Sequence, residues 1–478
     1  MRSAEDPASS PGRKKASTKR STRSRIDPAR LAAYDLLRAV DRDDAYANLV
    51  LPPLLRERHI SERDAAFATE LAYGTLRWQG LYDHILAPLI SRPIAELDSG
   101  IIEVLRLGCH QLLKMRVPSH AAVGTSVDLA RTVLTAGPVG LINAVLRKVA
   151  AGSPDELIAA AVESAPGMTR DSALAVRWSH PEWVVTALRD ALGTDPGNIE
   201  GLLEANNHSA AVTVVARPGR GDRDELVRQG AEPTKWSPWG ATLRGGNPAE
   251  ISAIREGRAA VQDEGSQLVT LAVALAPLAE SLAVAPTRRW LDLCAGPGGK
   301  ASVLAGLAES VGATLTANEL HPHRAELVRR ALSGASAHHE VVVGDGRSTS
   351  WPPASFDRVL VDAPCTGLGA LRRRPEARWR RQPRDVAGLV TLQGELLSAA
   401  IDAAAVGGVI GYVTCSPHRA ETVGVVSTML QQRSDIEAID ARALLPDVPE
   451  LGAGPWVQLW PHIHGTDAMF CALLRRTG

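Results

Sequence analysis

The sequence predicts a multidomain chain: an all-α bundle, a mixed α/β linker subdomain, and an α/β domain built on a mostly parallel sheet. Three observations predict it. The 478 residues exceed what a single hydrophobic core organises. Apolar residues recur at helical spacing from Pro28 to about residue 150, with no competing strand signal. From about Gly257 short apolar runs alternate with amphipathic stretches. The divisions fall at residues 1–25, 26–150, 151–255 and 256–478.

Residues 1–25 are rich in Ser, Arg, Lys and Pro and carry no hydrophobic period, so a disordered basic tail is expected. It either merely solubilises the chain or adds a weak, salt-sensitive attraction to RNA. In residues 26–150, Leu31, Tyr34, Leu37 and Val40 recur at helix spacing. So do Ile101, Val104, Leu105, Gly108 and Leu112, then Val123, Val127, Ala130 and Leu134. Breaks are expected at Pro52-Pro53, Pro93, Pro118 and Gly137-Pro138. The result is a bundle of roughly five to seven helices.

Residues 151–255 read as helices around 154–163 and 181–192, a strand at 211–216, and a Gly/Pro/Trp-containing region to Pro248. In the last domain, strands are expected at 290–294, 313–318, 340–343, 356–361 and 409–414. Helices are expected at 300–309, 323–332, 384–406 and 420–433. Segments 455–461 and 467–474 read as an antiparallel hairpin closing the sheet edge.

A 45% hydrophobic, 22% charged composition is that of ordinary globular proteins. No apolar run reaches the roughly 18 residues of a membrane span, and no signal peptide is readable, so a cytoplasmic protein without membrane contact is expected. Net charge is zero, yet positive charge gathers from Arg13 to Arg25, from Arg372 to Arg374 and from Arg378 to Arg381. The last two patches are expected to hold RNA phosphates. Five cysteines with no CxxC argue against a disulfide framework or a metal site. Of these, Cys109 and Cys471 read as inert small hydrophobes.

The first strand of the last domain runs into Cys294-Ala295-Gly296-Pro297-Gly298-Gly299-Lys300, a glycine-rich turn opening a helix. Such a turn lets backbone approach a ligand at the helix N-terminus. The second strand ends at Glu319, where an acid in a βαβ unit reaches ribose hydroxyls; Asp345 and Asp362 follow the third and fourth strands. A GxGxxG pattern is absent, and Lys300 is followed by Ala301 rather than a magnesium-binding hydroxyl, which speaks against dinucleotides and nucleoside triphosphates. A sulfonium cofactor needs ribose and adenine recognition and nearby acids, which Glu319, Asp345 and Asp362 supply in kind.

Cys365, in Asp362-Ala363-Pro364-Cys365-Thr366-Gly367, and Cys415, in Thr414-Cys415-Ser416-Pro417, stand at the ends of the fourth and fifth strands. Both are expected to open onto the cofactor cleft. Cytosine C5 accepts a methyl group only after a nucleophile adds at C6, and a thiolate both adds well and leaves by elimination. A second thiolate, or a base that it positions, suits removal of the C5 proton. Asp362 suits the donor at cytosine N4, or alternatively caps a helix.

These three motifs, with Leu291-Asp292-Leu293 before the glycine-rich turn and Trp460-Pro461-His462-Ile463-His464-Gly465-Thr466-Asp467-Ala468-Met469-Phe470 near the C-terminus, resemble the Nop/Sun family of RNA cytosine-5 methyltransferases. The resemblance implies a Rossmann-like catalytic domain that binds S-adenosylmethionine through Cys294 to Lys300, Glu319, Asp345 and Asp362. It also implies Cys415 as nucleophile and Cys365 as the thiol assisting product release. Glu62-Arg63-Asp64-Ala65-Ala66-Phe67 and Leu105-Arg106-Leu107-Gly108-Cys109-His110-Gln111-Leu112 resemble a NusB-type RNA-binding domain. That fusion is the arrangement of RsmB/Sun-type enzymes, which modify a cytosine of small-subunit (16S) ribosomal RNA. The resemblance covers most of the chain from about residue 28. Two departures are visible: Gly296 replaces a common Ala, and Glu319 stands where Asp is frequent. A monomer is expected, with RNA rather than DNA as partner. A transfer-RNA methyltransferase of the same chemistry, and a catalytically silent ribosome-assembly factor, remain as rival readings.

Overall fold

A computed structural model describes residues 27–193, 198–283, 288–335, 338–348 and 351–478. The expected basic tail lies outside them. Six helices form the bundle: α1 (Pro28–Asp43), α2 (Ala47–Glu57), α3 (Glu62–Leu86), α4 (Ser99–Leu113), α5 (Ser119–Val133) and α6 (Gly137–Ala151). The starts are written in the chain. Asp27 caps α1 by accepting from the Ala29 amide at 2.9 Å, and Asp98 caps α4 by accepting from the Gly100 amide at 2.8 Å. Pro52 and Pro53 do not break the chain as expected: both lie in the middle of α2, which continues through them although each removes one amide donor from the helix ladder. On α1 the fully buried face is made by Ala29, Ala32, Ala33, Leu36 and Leu37, while Leu31 and Val40 sit at its margin. Small residues let α1 approach α3 and α4 closely.

Four further helices follow: α7 (Pro154–Glu163), α8 (Arg170–Arg177), α9 (Glu182–Leu192) and α10 (Asn198–Asn207). A small antiparallel sheet comes next, built from β1 (Thr213–Ala216), β2 (Glu232–Pro233), β3 (Gly240–Thr242) and β4 (Ala259–Val261) in the order β2-β3-β1-β4. Helices α11 (Arg223–Arg228) and α12 (Ser252–Arg255) connect its strands.

The catalytic-type domain contains α13 (Glu264–Leu275), α14 (Glu280–Ala283), β5 (Arg288–Asp292), α15 (Gly299–Ser310), β6 (Ala313–Glu319), α16 (Pro322–Leu332), β7 (His339–Val343) and β8 (Phe356–Asp362). It continues with α17 (Ala377–Arg380), α18 (Pro383–Ala403), β9 (Ala404–Thr414), α19 (Val423–Gln432), β10 (Ile436–Ile439), β11 (Val457–Gln458), α20 (Pro461–His464) and β12 (Phe470–Arg476). The strand order is β10-β12-β9-β8-β5-β6-β7, with β5 to β9 parallel and β12 antiparallel to β9. Strand alternation sorts the core onto two faces. Trp290, Leu360, Val409 and Val413 meet α13, α15 and α16, whereas Leu291, Val359, Val361, Ile410 and Tyr412 meet α18 and α19.

Two expectations fail here. The hairpin partners β11 and β12 do pair, but β12 lies inside the sheet and β10 forms the edge. The helix expected to reach residue 406 stops at Ala403, because Ala404 already pairs with Phe356 and Gly407 takes φ 86°. Sheet pairing overrides the helix preference of the Ala run. Helix α18 has the length and mean hydropathy, 1.2, of a membrane span. Its Leu396, Leu397, Ala400 and Ile401 are instead buried against β8 and β9.

Candidate active site

The C-terminal ends of β5, β6, β8 and β9 bring the expected residues to one edge of the sheet. The chain leaves β5 at Asp292 and turns through Cys294 to Gly298 before α15. Two bonds pin this turn to β6: the Ala295 amide donates to Asn318 O at 2.8 Å, and Asn318 Nδ2 donates to Leu293 O at 3.0 Å. Asn318 Nδ2 also reaches Gly344 O at 3.1 Å, tying in the end of β7. Glu319 is buried; its Oε2 accepts from the Gly296 amide and its Oε1 from the His321 amide, each at 3.0 Å. A Cβ at position 296 would stand 2.1 Å from Glu319 Oε2, so the longer acid occupies the space that an Ala methyl would take.

Asp345 is half-buried and faces Arg347, whose guanidinium hydrogen bonds hold its carboxyl down at about 2. It follows β7 in the chain, and its ion pair is open to solvent. Asp362, at the end of β8, does not cap a helix. Its Oδ2 accepts from Lys300 Nζ at 2.8 Å. Burial opposes the Lys300 charge, but the attraction and hydrogen bond of Asp362 outweigh it and hold the ammonium above its ordinary value.

Cys365 and Cys415 are both half-buried, and their sulfurs lie 3.4 Å apart. A hydrogen bond from Cys365 holds the Cys415 thiol below its usual range, helped by Lys300 and Arg374 and opposed by burial and Asp362. The same contact, followed by burial and the Cys415 charge, pushes Cys365 up. The pair therefore titrates as a unit, and the contact favours the thiolate at Cys415 over one at Cys365. Cys109 and Cys471 are fully buried, and burial pushes both thiols up, Cys471 to about 12. Cys294 is likewise pushed up, by burial and then by the surrounding carboxylates.

Residues 279–475 match the family model described as 16S rRNA methyltransferase RsmB/F, and residues 27–151 match the NusB family. The ribosomal RNA small subunit methyltransferase B of Pseudomonas putida is 34% identical over 425 residues, spanning 86% of this chain and 91% of that protein. The chain belongs to the RsmB/F family of S-adenosylmethionine-dependent rRNA methyltransferases. A methyltransferase-named relative from Mycobacterium tuberculosis is 50% identical over 455 residues, spanning 94% of this chain and 97% of its own length. The crystal structure of PH0851 superposes with a TM-score of 0.77 at 20% identity, over 95% of this chain and 99% of that one. NSun6 from Pyrococcus horikoshii aligns at 0.51 and 17% identity, over 62% of this chain and 98% of that one. At such identities these two structures show the shared fold.

The candidate site also holds residues that the sequence motifs include but to which they assign no role. Asp292 is fully buried, neither of its oxygens has a hydrogen-bond partner of ordinary geometry, and burial followed by the Asp362 charge pushes its carboxyl up to about 8. Asp467 accepts hydrogen bonds from Arg373 and is ion-paired with Arg372 at 3.7 Å, and its amide donates to Asp263 at 2.9 Å. Burial and then Asp467 push Asp263 up to about 6.

The expectation that the arginine clusters hold phosphates is corrected for most of them. Arg378 is completely buried and donates to Ser179 O at 2.9 Å, Asn207 Oδ1 at 2.8 Å, Asn206 O at 3.2 Å and Arg77 O at 3.4 Å. Arg372 donates to Gly465 O at 2.9 Å, and Arg380 is bonded to Ala45 O and paired with Asp44. Trp379 donates to Leu76 O at 3.0 Å, its ring lying where any Cβ at Gly80 would be, 2.3 Å away. Residues 372–380 therefore fasten the catalytic-type domain to α3 and to the segment before α10's end. Arg374 stays exposed.

Proposed function

We propose that the chain methylates C5 of a cytosine in small-subunit ribosomal RNA in the cytoplasm, through a covalent bond between Cys415 and cytosine C6. The observation that carries this reading is the pair of sulfurs 3.4 Å apart at the ends of adjacent strands β8 and β9. In it, residues 26–150 bind RNA, 151–255 link and also bind RNA, and 256–478 catalyse. The residues fit S-adenosylmethionine in kind: a glycine-rich turn leads into α15, and Glu319, Asp345 and Asp362 follow successive strands. In this assignment Cys294 to Lys300 line the cofactor, Glu319 takes the ribose hydroxyls, and Asp345 takes the adenine side. When bound, S-adenosylmethionine supplies an electrophilic methyl group.

The Cys415 thiolate adds to C6, breaking the C5–C6 double bond and placing electron density on C5. Asp362, with Oδ2 engaged by Lys300, offers its other oxygen to the cytosine N4 amine and holds the base in register. Once Cys415 is bonded to carbon, its hydrogen bond and its charge no longer hold Cys365 up, while burial still does. Cys365 gives up its own proton to water in the open cleft and, once C5 carries the methyl group, its thiolate takes the C5 proton, whose bonding pair reforms C5–C6 as the Cys415 sulfur leaves as thiolate.

Bisulfite sequencing of ribosomal and transfer RNA from cells with and without the gene, alongside methyl incorporation by purified protein, tests the reading. Loss of one small-subunit cytosine mark is expected. Loss of a transfer-RNA mark instead, or no methyl transfer, would replace it with one of the two rivals.

A further inference from the structure

Glu421 lies in the short turn Arg419–Glu421 that follows the Cys415 loop, and it is completely buried. Four donors converge on its carboxylate. Oε1 accepts from the Thr366 amide at 2.8 Å and from Gln393 Nε2 at 3.1 Å; Oε2 accepts from Thr366 Oγ1 at 2.5 Å and from Ser416 Oγ at 2.7 Å. Thr366 follows Cys365 and Ser416 follows Cys415, so one carboxylate grips the residue after each thiol. The two hydroxyls also meet each other at 2.9 Å. Gln393, on α18, carries the grip to the residue before Cys365 by donating to Pro364 O at 2.8 Å, and Tyr412 OH fixes the Glu421 backbone by donating to its carbonyl at 2.7 Å.

Four donors require four lone pairs, which among side chains an ionised carboxylate supplies. Burying that charge is tolerable only because every lone pair is used. Among the described residues, the hydrogen bonds of this network join the two thiol loops to each other and to α18, and none is made to residues 294–300. Its geometric effect falls on the spacing of two loops that belong to different strands, β8 and β9, beyond the point where sheet pairing can hold them.

We propose that Glu421 is the positioning residue of the thiol pair: it sets the separation and mutual orientation of Cys365 and Cys415 by clamping Thr366 and Ser416 together. The inference rests on the two-thiol reading of the reaction. A displacement of an ångström at such a pair costs on the order of a hundredfold in rate.

Dibromobimane, which becomes fluorescent on bridging two thiols, reads the spacing directly on the full-length protein without RNA or cofactor. Mass spectrometry assigns the bridge to Cys365 and Cys415, and monobromobimane reports each thiol singly. Expected for Glu421→Ala is bridging slowed about tenfold or more with single-thiol labelling retained, and kcat reduced roughly a hundredfold with little change in the KM for S-adenosylmethionine. Glu421→Gln keeps an acceptor oxygen and should recover a measurable part of both. Should Glu421→Ala fail to fold, Thr366→Val and Ser416→Ala each remove one arm of the clamp, and each should slow bridging. Wild-type bridging in folded Glu421→Ala, or in both single-arm variants, overturns the proposal. Because bridging needs no RNA, a failure to methylate ribosomal RNA would sink the proposed function while leaving this result intact.

Discussion

Cys365 and Cys415 oppose each other across the ends of two adjacent parallel strands, sulfur to sulfur at 3.4 Å, with no other cysteine in the pair. The order of bond making assigns them different tasks. Cys415→Ala should abolish methyl transfer and any covalent RNA adduct. Cys365→Ala should still form the adduct and accumulate it, because addition and methylation precede the lost step. A denaturing gel with labelled RNA and S-adenosylmethionine shows the adduct as a slow band. Accumulation in Cys415→Ala and none in Cys365→Ala would exchange the two roles.

The same contact has a pH signature. Donation from Cys365 is the first cause of the lowered Cys415 value, so Cys365→Ala should move Cys415 alkylation by iodoacetamide to higher pH. Each unit of upward shift leaves about tenfold less thiolate well below the pKa. Overlapping profiles for wild type and variant, followed by mass spectrometry at Cys415, would show that the thiols do not share charge.

Much of this site was legible because parallel sheets bind ligands at their C-terminal edge, which made strand ends informative. Cys365, Cys415, Glu319 and Asp362 follow from that rule and from local sequence. Glu421 did not, since its role depends on donors from Thr366 and Gln393, 55 and 28 residues away. Arginine runs mislead for a related reason. A guanidinium that meets phosphate and one that meets buried carbonyls look identical in sequence, and the carbonyls around Arg378 come from residues 77, 179 and 206. Edge strand β10 escaped notice because its Ile436-Glu437-Ala438-Ile439 is too short for a period to show.

Position 296 should be coupled to position 319. Gly296→Ala forces a methyl against Glu319 Oε2 and should weaken S-adenosylmethionine binding about tenfold. Glu319→Asp in the same chain withdraws the carboxylate and should restore most of that loss, a coupling of about 0.5–3 kcal/mol. Calorimetry on the four proteins measures it. Additive losses would mean that the turn, rather than the acid, sets the requirement for glycine.

Arginine replacements should separate into two kinds. Arg378→Met removes four buried hydrogen bonds and should lower the stability of the full chain by at least about 2 kcal/mol, seen as a lower urea midpoint. Arg374→Ala should leave that midpoint in place and reduce the salt slope of RNA binding by about 0.7 for single strands or about 0.9 for duplex. A reduced slope in folded Arg378→Met with none in Arg374→Ala would reverse the division.

Asp292 should make the protein less stable as pH rises. Its folded carboxyl is pushed up to about 8 by burial and then by Asp362, while an unfolded aspartate titrates near ~3.9. Between those values the folded state binds the extra proton, so the stabilisation present below about pH 4 is lost as pH approaches 8, at no more than about 1.4 kcal/mol per unit. Asp292→Asn keeps the shape and cannot ionise, so its unfolding free energy should gain on the wild type steadily from about pH 5 to 8. Other titrating groups, Asp263 among them, are common to both proteins and cancel in the difference. Urea titrations at successive pH values give the two curves. Parallel curves would show that Asp292 ionises at no cost, with the Lys300 ammonium as its counter-charge, and would shift the electrostatic centre of the site from the Lys300–Asp362 pair to a three-membered cluster.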